Sequence, residues 1–243
     1  MDIQHAITAY ASAAGHRLQP KAVLFDMDGV LFDSMPNHAQ SWAKVCNSHG
    51  LHMTPEEAYL HEGRTGASTI HILTQRQWGR DATSEEIQSI YEDKCALFNA
   101  CPEAPKMQGA EATLEQVRDL GLKIHVVTGS GQRSLLERLN THYPGFFSLD
   151  RVVSSKDVEH GKPHPEPYLK GLAQAGVAPW EAFVVENAPL GVRSAVAAGI
   201  FTIAVNTGPI PDEVLLNEGA HLLFPNMQAL ANAFADLYTA CYE

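Results

Sequence analysis

Short apolar runs that stop at polar residues recur along the chain. Ala22–Phe25 stops at Asp26, Leu122–Val127 at Thr128, Ala182–Val185 at Glu186, Phe201–Val205 at Asn206 and Leu222–Phe224 at Pro225. These runs are too short for helices and too apolar for strands with one wet face. They predict strands buried on both faces of a parallel sheet. Helical patterns fill the gaps, over Ala110–Asp119, Gln132–Asn140, Pro165–Ala175 and Pro189–Ala198. Alternating strands and helices predict an open α/β sheet with right-handed crossovers.

One interval breaks the alternation. Between His38 and Ala100 the pattern offers only helices, over His38–His49, Pro55–His61, Ala67–Trp78 and Ser84–Asn99. Thr83-Ser-Glu-Glu86 reads as a helix start, with a hydroxyl cap and acids in the first turn. Pro102-Glu-Ala-Pro105 reads as a linker. The expectation is an α/β core, residues 20–36 and 106–243, carrying an inserted all-helical cap over residues 37–105. Residues 1–19 read as a tail or short helix ahead of the fold. The linkers near Ser34–Asn37 and Pro102–Gln108 imply a cap that opens and closes.

Composition narrows the function. At 243 residues the chain can bury a sizeable core. Its net charge of −11 opposes nucleic acid and anionic membrane surfaces as partners. Cys46, Cys95, Cys101 and Cys241 form no CxxC pair, which fits reduced thiols better than a disulfide framework. There is no apolar run long enough for a membrane span, and the first 20 residues lack the pattern of a signal peptide. A cytoplasmic protein, monomeric by default, is the expectation.

Ligands of open α/β sheets bind beyond the carboxyl ends of the strands, so the strand-ending residues come first. Asp26 and Asp28 are two carboxylates spaced i, i+2 at such an end, costly together unless a cation or proton separates them. Mg²⁺ would do so, since it takes hard oxygen ligands. Two solvated acids at a strand terminus are the alternative for that motif alone.

The motifs Asp26-Met-Asp-Gly-Val-Leu-Phe-Asp-Ser34, Val127-Thr-Gly-Ser130, Gly161-Lys-Pro-His-Pro-Glu-Pro167 and Val185-Glu-Asn-Ala-Pro-Leu-Gly191 occur together and in this order. In them the chain resembles the haloacid dehalogenase superfamily, and within it the β-phosphoglucomutase-like group, over nearly everything after Gln19. The resemblance implies a Rossmann-like core and an aspartyl-phosphate mechanism. Asp26 would be the nucleophile and Asp28 the general acid/base, whose backbone carbonyl also binds Mg²⁺. Thr128, with Gly129 and Ser130, would bind the transferring phosphoryl group, and Lys162 would offset its charge. Dehalogenases need no acid two residues after the nucleophile, because halide leaves unprotonated, so Asp28 favours phosphoryl chemistry.

The mutase pattern is broken in two places. Its strand-end acid pair is replaced by Glu186-Asn187, which removes one charge from the metal site while leaving Glu186 and the Asn187 carbonyl as ligands. Gly66 falls where the mutase carries a phosphate-binding arginine. The cap loop His61-Glu-Gly-Arg-Thr-Gly66 suggests compensation, with Glu62 as an extra metal ligand and Arg64 on a substrate phosphate; a solvated acid and an exposed arginine are the alternatives. His38 and Ser34 match mutase positions near the hinge and the catalytic acid, with His38 a candidate substrate-binding residue and a helix-start histidine without a role the alternative, and Trp42 reads as core packing. A cap drawn down onto the metal leaves little room for a sugar. The expected activity is therefore hydrolysis of a small phosphorylated compound such as inorganic pyrophosphate. β-Phosphoglucomutase is the alternative, and a catalytically silent phosphate-binding module the remote one.

Overall fold

The computed structural model describes residues 2–131 and 135–243. The chain opens with α1 (Ile3–Ala14) and β1 (Ala22–Phe25), then runs through four consecutive helices: α2 (Met35–Ser48), α3 (Pro55–Leu60), α4 (Gly66–Trp78) and α5 (Ser84–Asn99). There follow α6 (Ala110–Asp119), β2 (Lys123–Val127), α7 (Leu135–His142), β3 (Val152–Val153), α8 (Glu166–Ala175) and β4 (Ala182–Glu186). Last come α9 (Pro189–Ala197), β5 (Phe201–Val205), α10 (Asp212–Asn217), β6 (Leu222–Phe224) and α11 (Met227–Ala240). The helix expected over 132–140 is met from Leu135 onward; residues 132–134 lie outside those described.

All six strands pair in parallel, in the order β3-β2-β1-β4-β5-β6. Successive strand residues feed two buried layers. Val23, Phe25, Phe183 and Val185 join one cluster, whereas Leu24, Ala182 and Val184 join another. This two-faced burial is what the unbroken apolar runs predict. β1 sits centrally between β2 and β4, so Asp26, Thr128 and Glu186 are carried to one edge of the sheet.

The helices α2–α5 bury a cluster of their own, including Val45, Leu51, Met53, Ile70, Leu73 and Ile90. Helix α5 starts with the expected capping box, in which Thr83 and Glu86 each bond the other's backbone N–H. The two chain crossings are tied where Asn37 Nδ2 donates to the Pro102 carbonyl at 2.9 Å.

The first residues are more than a tail. Asp2 caps α1 by accepting from the N–H of Gln4 and His5, and Gly15 ends it in the left-handed region. Ala6, Ile7 and Tyr10 are buried in the main core cluster, and Tyr10 donates to the Gly199 carbonyl at 2.7 Å. Strand β3 was absent from the sequence reading, because two residues carry no periodicity.

Candidate active site

Asp26 directly follows β1, and its N–H still bonds the β4 carbonyl of Val185 at 3.0 Å. The backbone then turns, with the Met27 carbonyl accepting from the N–H of Leu31 and Phe32. Gly29 has φ +84°, and a Cβ there would lie 2.1 Å from the Asn187 amide nitrogen. Only glycine meets both requirements.

Lys162 is the hub of the core side. Its ammonium donates to Asp26 Oδ1 at 2.6 Å, to Glu186 Oε1 at 2.5 Å and to the Val127 carbonyl at 3.0 Å. All three side chains are buried. Burial opposes the lysine's charge, but the two carboxylates outweigh it and hold its pKa above the usual range. Glu186 takes a further bond from the Tyr168 hydroxyl at 2.9 Å, and its Oε2 accepts from the N–H of Asn187 and Ala188. Each carboxylate oxygen thus meets two donors, which fills the usual acceptor capacity of the group. Among the five predicted metal ligands, Glu186 is the one already fully engaged; as placed, it positions Lys162.

Asp28 is held by the Ser34 hydroxyl at 2.5 Å, with His38 Nε2 3.4 Å from the same oxygen. Burial disfavours its charge, yet His38, Ser34 and nearby Arg138 pull its pKa below the ordinary carboxylate range. On its other side His38 Nδ1 meets Lys94 Nζ at 2.8 Å. Burial, then the Lys94 charge, lowers the pKa of His38. These two shifts pull against each other, since one invokes a charged imidazole and the other disfavours it. The ammonium contact to Nδ1 makes Lys94 the better carrier of the charge, with a neutral His38 presenting Nε2–H to Asp28. His38 thus stands beside Asp28 while also lining the cavity.

Lys94 itself was missed. It is buried, sits over the rings of Trp42 (5.5 Å) and Phe98 (4.8 Å), and lines the same cavity as Asp26 and Asp28. A signal existed: Ile87, Ile90, Tyr91, Lys94, Leu97 and Phe98 share one helical face, and a lysine inside an apolar stripe calls for a reason.

The α3–α4 loop of the helical block descends onto this edge. Asn187 Nδ2 donates to Glu62 Oε1 at 3.0 Å. A Cβ on Gly129 would stand 3.0 Å from the Gly63 carbonyl, and one on Gly63 would stand 3.2 Å from the Lys162 side chain. Glu62 carries a pKa pushed well above the carboxylate range, by burial first and then by the Asp26 charge, with the Asn187 bond opposing. Asp26 is likewise raised to about 8, chiefly by burial and despite Lys162. Thr128 accepts from the Ser130 N–H at 3.0 Å, which leaves its own O–H free to donate.

Asp26, Asp28, His38, Glu62, Arg64, Thr128, Gly129 and Ser130 line one cavity; Lys162 and Asn187 back it through Asp26 and Glu62. His61 lines it too, and among the described residues His61 Nδ1 and Arg64 Nε are buried without a partner. Tyr91 also lines it, and a Cβ on Gly66 would stand 2.2 Å from the Tyr91 ring. No larger residue fits at position 66 while that ring stays.

Similar proteins show the family. A family model for haloacid dehalogenase-like hydrolases matches residues 23–205. Hexitol phosphatase A of Escherichia coli K12 is 33% identical over 190 residues, covering 76% of this chain and 83% of that protein. The phosphorylated carbohydrates phosphatase of Thermotoga maritima is 32% identical over 202 residues, 82% of this chain and 92% of its own. A solved structure from Bacteroides vulgatus, provisionally named a β-phosphoglucomutase, superposes with a TM-score of 0.96 at 53% identity, covering 99% of this chain and 98% of that one. With the family model over three quarters of the chain and relatives at this level of identity, this chain belongs to the haloacid dehalogenase-like hydrolases, as a phosphatase or phosphotransferase of the β-phosphoglucomutase-like group.

Proposed function

We propose that the protein hydrolyses a small phosphorylated compound, with inorganic pyrophosphate as the substrate that fits best, and that residues 37–105 act as a cap closing over it. The observation that carries this reading is the Glu62–Asn187 hydrogen bond, which brings a cap carboxylate to the strand ends. With the cap so placed, Tyr91 and the His61–Arg64 loop line the cavity that holds Asp26 and Asp28, and in this reading they limit the room beyond the phosphate.

In this reading an Asp26 oxygen attacks phosphorus and the bond to the leaving oxygen breaks. Asp28, ionised in the free protein, would take up a proton when the negatively charged substrate binds beside it, and gives that proton to the leaving oxygen. Water then attacks the aspartyl-phosphate, Asp28 takes the water proton, and phosphate leaves with Asp26 restored. The Thr128 hydroxyl and the N–H groups of the 128–130 loop bind the phosphoryl oxygens, and Lys162 offsets their charge against Asp26. Ser34, His38 and Lys94 hold Asp28 for transfer, while Arg64 and His61 direct their free nitrogens at the second phosphate.

The residues fit a divalent cation. Asp26, Asp28 and Glu62 line one cavity, and among the described residues the Asn187 carbonyl oxygen is buried without a partner while its amide nitrogen serves Glu62. Mg²⁺, a hard ion taking carboxylate and carbonyl oxygens, would be held by Asp26, the Asp28 carbonyl, Asn187 and Glu62. When bound it would lower the charge repulsion between nucleophile and substrate.

Glu62→Ala tests the reading. A large loss of pyrophosphate cleavage, with the fold intact by circular dichroism, supports it; unchanged kinetics would overturn it. A phosphorylated sugar is the second reading, favoured by the names of the two phosphatase relatives. In that case Glu62→Ala leaves sugar-phosphate turnover intact or raises it.

A further inference from the structure

The loop that carries Lys162 presents a separate group of ligating side chains on its outer face. His160 and His164 stand two residues to either side of Lys162, and Glu166 opens α8. One ligand atom from each lies within 4.8 Å of the other two. His160 Nδ1 is 3.2 Å from Glu166 Oε2, and the imidazole rings lie 4.7 Å apart at 35°. The carboxylate is fixed in advance, because the N–H groups of Glu159 and His160 donate to its two oxygens at 2.9 and 2.8 Å. His164 Nδ1 accepts from the Glu166 N–H at 3.2 Å, so it carries a lone pair. None of the three takes part in the phosphoryl site.

We propose that His160, His164 and Glu166 bind Zn²⁺ or another late first-row divalent ion. A tetrahedral site with metal–nitrogen bonds of about 2.0–2.1 Å has ligand atoms spaced roughly 3.3 Å apart, close to the separation of His160 Nδ1 and Glu166 Oε2. The ion takes the place of the proton those atoms share. His164 completes three protein ligands by turning its Nδ1 lone pair from the weak backbone bond, and water fills the exposed position. Two features set the selectivity. Lys170 Nζ lies 3.1 Å from Glu166 Oε1, and the positive end of α8 faces the site. Both oppose a cation held by charge alone, so Mg²⁺ and Ca²⁺ gain little, while ions that favour imidazole nitrogen gain most. An ion here ties residues 160 and 164 across Lys162, whose ammonium reaches Asp26, and its occupancy therefore alters turnover.

The test is calorimetric titration of Zn²⁺ into the full chain with Mg²⁺ in excess, on wild type, Asp26→Asn and the His160→Ala/His164→Ala double variant. One equivalent is expected in wild type, retained in Asp26→Asn and lost in the double variant, whose turnover without Zn²⁺ stays at the wild-type level. Co²⁺ in place of Zn²⁺ should give visible absorption that disappears with the two imidazoles. Absence of the equivalent in wild type, or its persistence in the double variant, would overturn the proposal. Lys170→Met should tighten binding, and weaker binding would contradict the selectivity argument.

Discussion

The two sides of the cavity are finished to different degrees. On the sheet side the groups around the nucleophile are interlocked: Lys162 joins Asp26 to Glu186, and Glu186 is saturated by Lys162, Tyr168 and two backbone N–H groups. On the cap side, His61 Nδ1 and Arg64 Nε are buried and unpaired, and Glu62 relies on a single amide. Buried polar groups are rarely left unsatisfied without cause. In the proposed reading the sheet side serves phosphoryl transfer in any substrate, whereas the cap side is completed by the particular ligand. Chemistry and specificity are thus written on different elements.

The largest effect should come from the nucleophile. Asp26→Asn is expected to reduce turnover to background in a phosphate-release assay, and any substantial residual rate would contradict covalent catalysis by Asp26. Lys162→Met should come next and should strike stability as well. Removing one partner from a buried ion pair typically costs about 3–5 kcal/mol, and here two carboxylates lose the same ammonium. Denaturant unfolding measures this, and an unchanged midpoint would break the claim that the sheet side is an interlocked unit.

Arg64→Ala probes the other side. A charged hydrogen bond is worth about 1.5–3 kcal/mol, which corresponds to a loss of roughly 10–150-fold in kcat/KM for pyrophosphate. Stability should be unaffected, because no bond is lost in the free protein. The contrast between Lys162→Met and Arg64→Ala, one structural and the other confined to ligand, is the comparison in measurable form.

The last effect is a pH dependence. Asp26 has its pKa raised to about 8 by burial, so the folded, metal-free protein binds a proton there that the unfolded chain gives up near the ordinary carboxylate value. Stability should therefore fall as pH rises from about 4 to 8. Added Mg²⁺ should raise Tm more at pH 8 than at pH 5, and Asp26→Asn should flatten the slope. A melting series across that range checks both.

Much of this was legible in the sequence, for reasons that differ along the chain. Strands β1, β4 and β5 are buried throughout and β2 nearly so, and with the short edge strand β6 each announces itself as an apolar run. Their polar stops then mark Asp26, Thr128 and Glu186. Helix α1 was read too weakly although Ile3, Ala6, Ile7 and Tyr10 keep helical spacing, because alanine-rich stretches give a faint contrast. Strand β3 carries too little pattern to detect. The role of Asn187 emerges only with Glu62, since a residue's partner 125 positions away leaves no local trace. Lys94 was overlooked because helix α5 was read for its caps and not for the polar residue inside its apolar stripe.

The central claim is that a cap drawn onto the strand ends selects a very small phosphate compound. Phosphate release by the purified protein with Mg²⁺ tests it most directly, comparing pyrophosphate with β-glucose 1-phosphate and a hexose-phosphate panel, with Asp26→Asn as the blank and glucose 6-phosphate formation followed in parallel. The account predicts fast release from pyrophosphate and little from the sugars. Glucose 6-phosphate accumulating with little free phosphate would contradict it, and would mean that Glu62, Asn187 and Tyr91 leave room for a sugar to turn.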